Sequence, residues 1–148
     1  MKAFADQDAT ALAALVRNRE VSPGELLDAA LESARAAQDE LNCLSQFFED
    51  HARKQITEGL PAGPFAGVPF ATKDLGVRLE GLPLTNGSRA FRDNVATFDS
   101  TLAKRYREAG FVIFAQTTSP EFGLTTSTES ALYGKTRNPW DTGRTSGG

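Results

Sequence analysis

The chain has 148 residues, 40% of them hydrophobic and 24% charged, with a formal net charge of −3. That length suits one domain burying roughly 70% of its unfolded surface. The negative balance argues against a nucleic-acid partner, which a basic face would have to hold. Cys43 and His51 each stand alone, which excludes a disulfide within the chain and speaks against a Cys/His metal site.

No apolar run approaches the ~20 residues needed to cross a bilayer. The opening MKAFADQDAT carries acidic residues and no long apolar segment, so it does not read as a secretion signal. A cytoplasmic protein is the expectation, with no membrane partner.

Leu12, Leu15 and Val16 predict a first helix over 8–17, capped by Asp6 or Asp8. Ser22-Pro23-Gly24-Glu25 then opens a second helix. Ser22 can cap free amides, Pro23 suits the first turn and Glu25 can reach back. Leu26, Leu27, Ala30, Leu31 and Ala34 form its apolar stripe, and the helix should run to about Gln38. Residues 41–48 (LNCLSQFF) read as a short strand, and Glu49 to Glu58 as a helix stopping at Gly59. His51 falls on the exposed surface of that helix.

Residues 59–67 hold two prolines and three glycines and form a connector. Val68 to Thr72 is a strand, and 76–94 a long loop with room for a short helix. Asp99 to Ala109 is a helix, capped by Asp99 or Thr97, with Leu102, Ala103 and Tyr106 inward. Lys104, Arg105 and Arg107 suit the macrodipole, and Gly110 is the stop. Phe111 to Ala115 (FVIFA) is apolar throughout, as a strand covered on both faces would be. Strand, helix, strand makes a βαβ unit. From Gln116 onward the chain reads as loop, and RNPWDTGRTSGG shows no periodicity.

Three features could carry chemistry. Lys73 ends a strand, and the carboxyl ends of strands are where α/β sheets place ligands. Held there among apolar neighbours, its amine would lose hydration and become a neutral general base; on the surface it would be a plain solvated lysine. Asp74 points to the opposite face and is not its obvious partner. The hydroxyls of Thr117, Thr118 and Ser119 either line a cleft or serve a turn before Pro120. The terminal Thr145-Ser146-Gly147-Gly148 is either a tight anion-holding backbone or a flexible tail.

In order, GPFAGVPFATKD, AGFVIFAQTTSPEFG and YGKTRNPWDTGRTSGG resemble the amidase signature family. Its usual pattern is G-P-L-x-G-V-P-x-x-x-K-D, then A-G-A-x-x-x-G-K-T-N-x-P-E-F, then G-x-T-x-N-P-W, then G-G-S-S-G-G. The resemblance spans Ser22 to Gly148, is strongest over 63–148, and leans toward hydrolases of small linear or cyclic amides. It implies an α/β fold, with N-terminal helices leading into part of a mixed β-sheet flanked by helices.

The resemblance also implies a Ser–Ser–Lys triad in which Lys73 deprotonates a serine held by a cis peptide bond. That serine relays to a nucleophilic serine, which forms an acyl-enzyme with a carboxamide. The sequence stops at Gly147-Gly148, where the family signature begins. Residues 1–148 are therefore expected to be the N-terminal portion of a single amidase domain, holding Lys73 alone of the triad and inactive by themselves. Gln116 stands where the pattern has a lysine, with little effect on chemistry expected. No cofactor is implied; the partner is a small-molecule amide, and a homodimer is compatible. Open sheet edges should leave the isolated chain prone to aggregation. The rival readings are the amide-processing subunit of a tRNA-dependent amidotransferase and a non-catalytic α/β binding module.

Overall fold

The computed structural model describes Phe4 and residues 6–148. Helix α1 (Ala9–Arg17) is capped by Asp8, whose carboxylate accepts from the Ala11 amide at 2.8 Å. Helix α2 (Pro23–Leu41) opens as its sequence predicts: Glu25 N donates to Ser22 Oγ at 3.2 Å, and Ser22 N donates to Glu25 Oε2 at 2.8 Å. It runs three residues past the expected end. Nothing in Asp39-Glu40-Leu41 breaks a helix, and the stop comes at Asn42, which takes a left-handed φ of 50°.

One three-stranded sheet organises the molecule, in the order β1 (Leu44–Phe47), β3 (Val112–Thr117), β2 (Pro69–Lys73). Strands β2 and β3 are parallel, running from the pair Pro69–Val112 to the pair Lys73–Thr117. Strand β1 lies antiparallel on the other side of β3, so the sheet is mixed. The helix α4 (Thr101–Glu108) connects β2 to β3 and completes the βαβ unit. Residues Val112 to Gln116 of the central strand are all buried.

One face of the sheet packs Val112 and Phe114 against Leu27, Leu31 and Ala52 of α2 and α3 (Glu49–Glu58). The other packs Ile113 against Phe48, Val77, Leu79 and Ala103. The register slips within β2–β3: Phe70 pairs with Ile113, then Ala71 with Ala115. Phe114 is the extra residue, which is how a continuous apolar run serves two faces unequally. Phe65, Phe70 and Tyr106 gather around Phe111, with the Phe65–Phe111 rings stacked at 4.7 Å. Gly110 stops α4 at a φ of +87°, and a Cβ there would sit 2.6 Å from Ala66 Cα, so no other residue fits the approach of these two loops.

Four expectations need correction. The cap of α4 is Ser100, which accepts from the Ala103 amide at 3.3 Å. Asp99 instead accepts from the Glu80 amide at 2.7 Å and pairs with Arg107 at 2.8 Å. Leu102 is exposed: Ala103 and Tyr106 define the inward stripe, and the preceding residue lies about 100° around the helix. His51 is half-buried, its Nε2 lying 3.3 Å from Arg107 Nη1 on α4, because α3 and α4 approach there. Burial and the Arg107 charge hold the imidazole below its ordinary range.

The fourth correction concerns the last third. Strand β3 extends through Gln116 to Thr117, and beyond it two small hairpins form, β4 (Glu129–Ser130) with β5 (Gly134–Lys135) and β6 (Arg137–Asn138) with β7 (Asp141–Thr145). These strands carry few apolar residues, so they left no period in the sequence. The predicted short helix in the long loop is present as a 3-10 turn at Arg89–Phe91.

Candidate active site

Lys73 is the last residue of β2, paired in register with Thr117 at the carboxyl end of two parallel strands. It is exposed, and it forms no ion pair among the described residues. The desolvation expected of a buried base is therefore not supplied by this part of the fold.

What these residues do supply is a rigid mount. Asp74 turns to the opposite face, as strand alternation requires, and is wholly buried. Its carboxylate accepts from the backbone amides of Thr85 at 2.7 Å, Asn86 at 3.1 Å and Gly87 at 3.2 Å, and from the Thr85 hydroxyl. Successive amides of one turn converge on a single anion, a nest closed by the protein's own carboxylate. The backbone of Asp74 is also fixed at both ends. Its amide donates to Thr117 O at 3.0 Å, and its carbonyl accepts from Ser119 Oγ at 2.8 Å. Lys73 thus stands one residue from a position held on every side.

The same contacts draw in the second segment. Gly87, at a φ of +68°, would place a Cβ 2.7 Å from Ser119 O, so glycine alone lets the loop touch the turn. Phe122 N donates to Asn86 O at 2.9 Å, and Ser88 Oγ donates to Glu121 Oε1 at 2.6 Å. Ser119 is buried and Thr117 half-buried. The Ser119 hydroxyl donates to Asp74 O and the Thr118 hydroxyl lies within bonding distance of Cys43 O, the turn reading for those two residues.

The third segment closes against the second. Thr128 Oγ1 donates to Gly147 O at 2.7 Å, and Thr128 N donates to Thr145 Oγ1 at 3.2 Å. A Cβ built on Gly148 would meet Thr125 O at 2.4 Å and Pro120 Cγ at 3.3 Å. Residues 147–148 are thus seated against the turn that follows β3, while Ser146 points to solvent. All three segments singled out in the sequence share one side of the molecule, linked through Asp74, Ser119 and Pro120.

Sequence reasoning set Asp74 aside as no partner of Lys73, and it missed Thr85, Gly87 and Thr128. The Thr85-Asn86-Gly87 tripeptide was the available signal, since Asn-Gly marks a tight turn whose amides point inward. Among the described residues, no group of three or more His, Cys, Asp and Glu is placed to hold a metal ion. A polar cleft of about 790 Å³ lies between the C-terminus of α2 and the hairpins, lined by Asp39, Asn42, Arg137, Arg144 and Thr145, with neither Lys73 nor Ser119 in its wall. Cys43 is partly buried, and that burial pushes its thiol up from the ordinary range.

The amidase family model matches residues 25–148. The chain belongs to the amidase family. It is 40% identical over 144 residues to the 6-aminohexanoate-cyclic-dimer hydrolase of Paenarthrobacter ureafaciens, covering 96% of this chain and 29% of that protein. It is 35% identical over 147 residues to an acylamidase of Rhodococcus erythropolis, covering 95% of this chain and 31% of the relative. The solved structure of a 6-aminohexanoate cyclic dimer hydrolase complexed with substrate superposes with a TM-score of 0.89 at 40% identity, covering 96% of this chain and 30% of that one. The chain thus spans about three-tenths of the length of these relatives.

Proposed function

We propose that this chain carries the general base of an amide hydrolase, and that the base is Lys73. The observation that supports the reading is the mount beneath it: a strand end fixed by Asp74 through three amides, a hydroxyl and two backbone bonds. Catalysis by position needs such a mount, because a misplacement of about 1 Å can cost on the order of a hundredfold in rate. The Lys73 amine takes a proton from a serine hydroxyl, that serine takes one from the nucleophilic serine, and the nucleophile's oxygen attacks the carboxamide carbon. The C–N bond breaks as the leaving nitrogen takes the proton returned from Lys73 through the relay, and water then cleaves the resulting ester, giving the acid and restoring the nucleophile's hydroxyl.

The two serines belong to sequence outside these 148 residues, consistent with relatives more than three times as long. The chain alone would then be inactive. Gly148 is seated beside Pro120, on the side of the sheet where β2 ends.

The substrate is proposed to be a small linear or cyclic carboxamide. A relative at 40% identity is a cyclic-dimer hydrolase, whereas a glutamyl-tRNA(Gln) amidotransferase component from Acidothermus cellulolyticus stands at 35%. A glutamine amide is the second reading that this relative supports. Comparing turnover of a cyclic diamide, a linear anilide and glutamine by the polypeptide that carries this chain separates them. Ring opening of the cyclic diamide and release of the aniline support the hydrolase, and release of ammonia from glutamine alone overturns it.

A further inference from the structure

A row of polar side chains crosses the sheet one step before Lys73. In register, Gln46 of β1 pairs with Gln116 of β3, and Gln116 pairs with Thr72 of β2. Paired residues on adjacent strands project to the same face. Gln116 is 1% exposed and Thr72 2% exposed, yet Thr72 Oγ1 and both Gln116 amide atoms have no hydrogen-bond partner. Buried polar atoms are almost always satisfied, by protein or by ordered water, because an unmet one forfeits its hydration for nothing.

A neighbouring run of side chains is bonded among its own members. Thr85 gives its one hydroxyl proton to Asp74, so Tyr133, whose oxygen lies 3.2 Å away, donates to Thr85. Gln46 Nε2 in turn donates to Tyr133 at 3.3 Å. This run from Gln46 to Asp74 is bonded link by link, and none of its members bonds to Gln116.

We infer that Thr72 and Gln116 hold an internal water between β2 and β3. The Gln116 amide offers a donor and an acceptor, the Thr72 hydroxyl offers both, and together they meet the two to four polar contacts that a buried water requires. The site goes beyond the amidase reading and does not depend on it. It gives Gln116 a structural part, which the expectation of little effect on chemistry leaves open, since the water ties β2 to β3 at the residue preceding Lys73.

Two measurements test it. A high-resolution crystal structure should show a fully occupied water within hydrogen-bonding distance of both Thr72 Oγ1 and the Gln116 amide. A direct bond between the two side chains, with no density between, overturns the inference. In solution, oxygen-17 relaxation dispersion counts long-lived internal waters. Gln116→Met, close in volume and apolar, should lose at least one relative to the parent, and Thr72→Val gives the same readout should Gln116→Met fail to fold. Equal counts in parent and folded variant contradict the site.

Discussion

Residues 9–117 and residues 119–148 are held together by different physics. The first region buries aliphatic and aromatic side chains on both faces of a three-stranded sheet. In the second, the buried residues are Ser119, Pro120, Thr128, Ser130 and Thr136, and apart from the proline each carries a hydroxyl. Phe122, Leu124 and Trp140 face out, with Leu124 81% and Trp140 95% exposed. The first region is a core, and the second is a lacework of hydroxyl-to-backbone bonds laid over the end of β3. Thr136 Oγ1 donates to Asn42 O at 2.9 Å and accepts from the Thr118 hydroxyl at 2.7 Å, while Thr118 N donates to Cys43 O at 2.9 Å, which pins the second region to the corner between α2 and β1.

The contrast can be broken by substitution. Leu27→Ala, in the centre of the first region, should cost about 2–5 kcal/mol in urea denaturation, whereas Leu124→Ala should change stability by no more than ~0.5 kcal/mol. Similar costs at the two sites would mean that the second region has a core of its own. Asp74→Ala strands three amides and should cost about 3 kcal/mol or more by the same assay. Asp74→Asn, which still offers one carbonyl oxygen, should cost less. Thr136→Val is the smaller test of the lacework, with an expected loss of about 1 kcal/mol.

The smallest effect is a pH dependence inside the first region. The folded imidazole of His51 resists protonation, chiefly through burial and then through Arg107. The unfolded chain binds a proton below about pH 6.5, so it takes up more protons than the folded one there. Stability is complete above that pH and falls as pH drops below it. Asp99, Glu58 and Lys54 also act on the ring, the two carboxylates favouring its charge and the lysine opposing it. Thermal melts from pH 8 to pH 5 should show the decline in the parent and a flatter profile in His51→Gln. Identical slopes would assign the decline to other groups.

Much of the first region was legible because its signals are local or periodic. The capping box at Ser22, the stop at Gly110 and the apolar run of β3 each fix an element without long-range information. The second region was opaque because its bonds join hydroxyls to backbone far along the chain, and two-residue strands leave no alternation to read. The site divided in the same way. Lys73 stood out as a charge ending an apolar strand, and the order of three motifs gave the family. The buried carboxylate of Asp74 did not stand out, because its partners arrive from a loop eleven to thirteen residues later. The α4 cap was misplaced for a related reason: Asp99 is drawn off to the Glu80 amide and Arg107, leaving Ser100 to do the capping.

The central claim is that Lys73 is the proton acceptor and that the structure around it exists to hold it. Amide turnover by the active polypeptide containing this sequence, compared with its Lys73→Ala variant, tests it most directly. In the variant kcat should fall by a factor on the order of 10²–10⁴, with substrate binding and the melting temperature little changed. Turnover within a few-fold of the parent by a folded Lys73→Ala variant would contradict it.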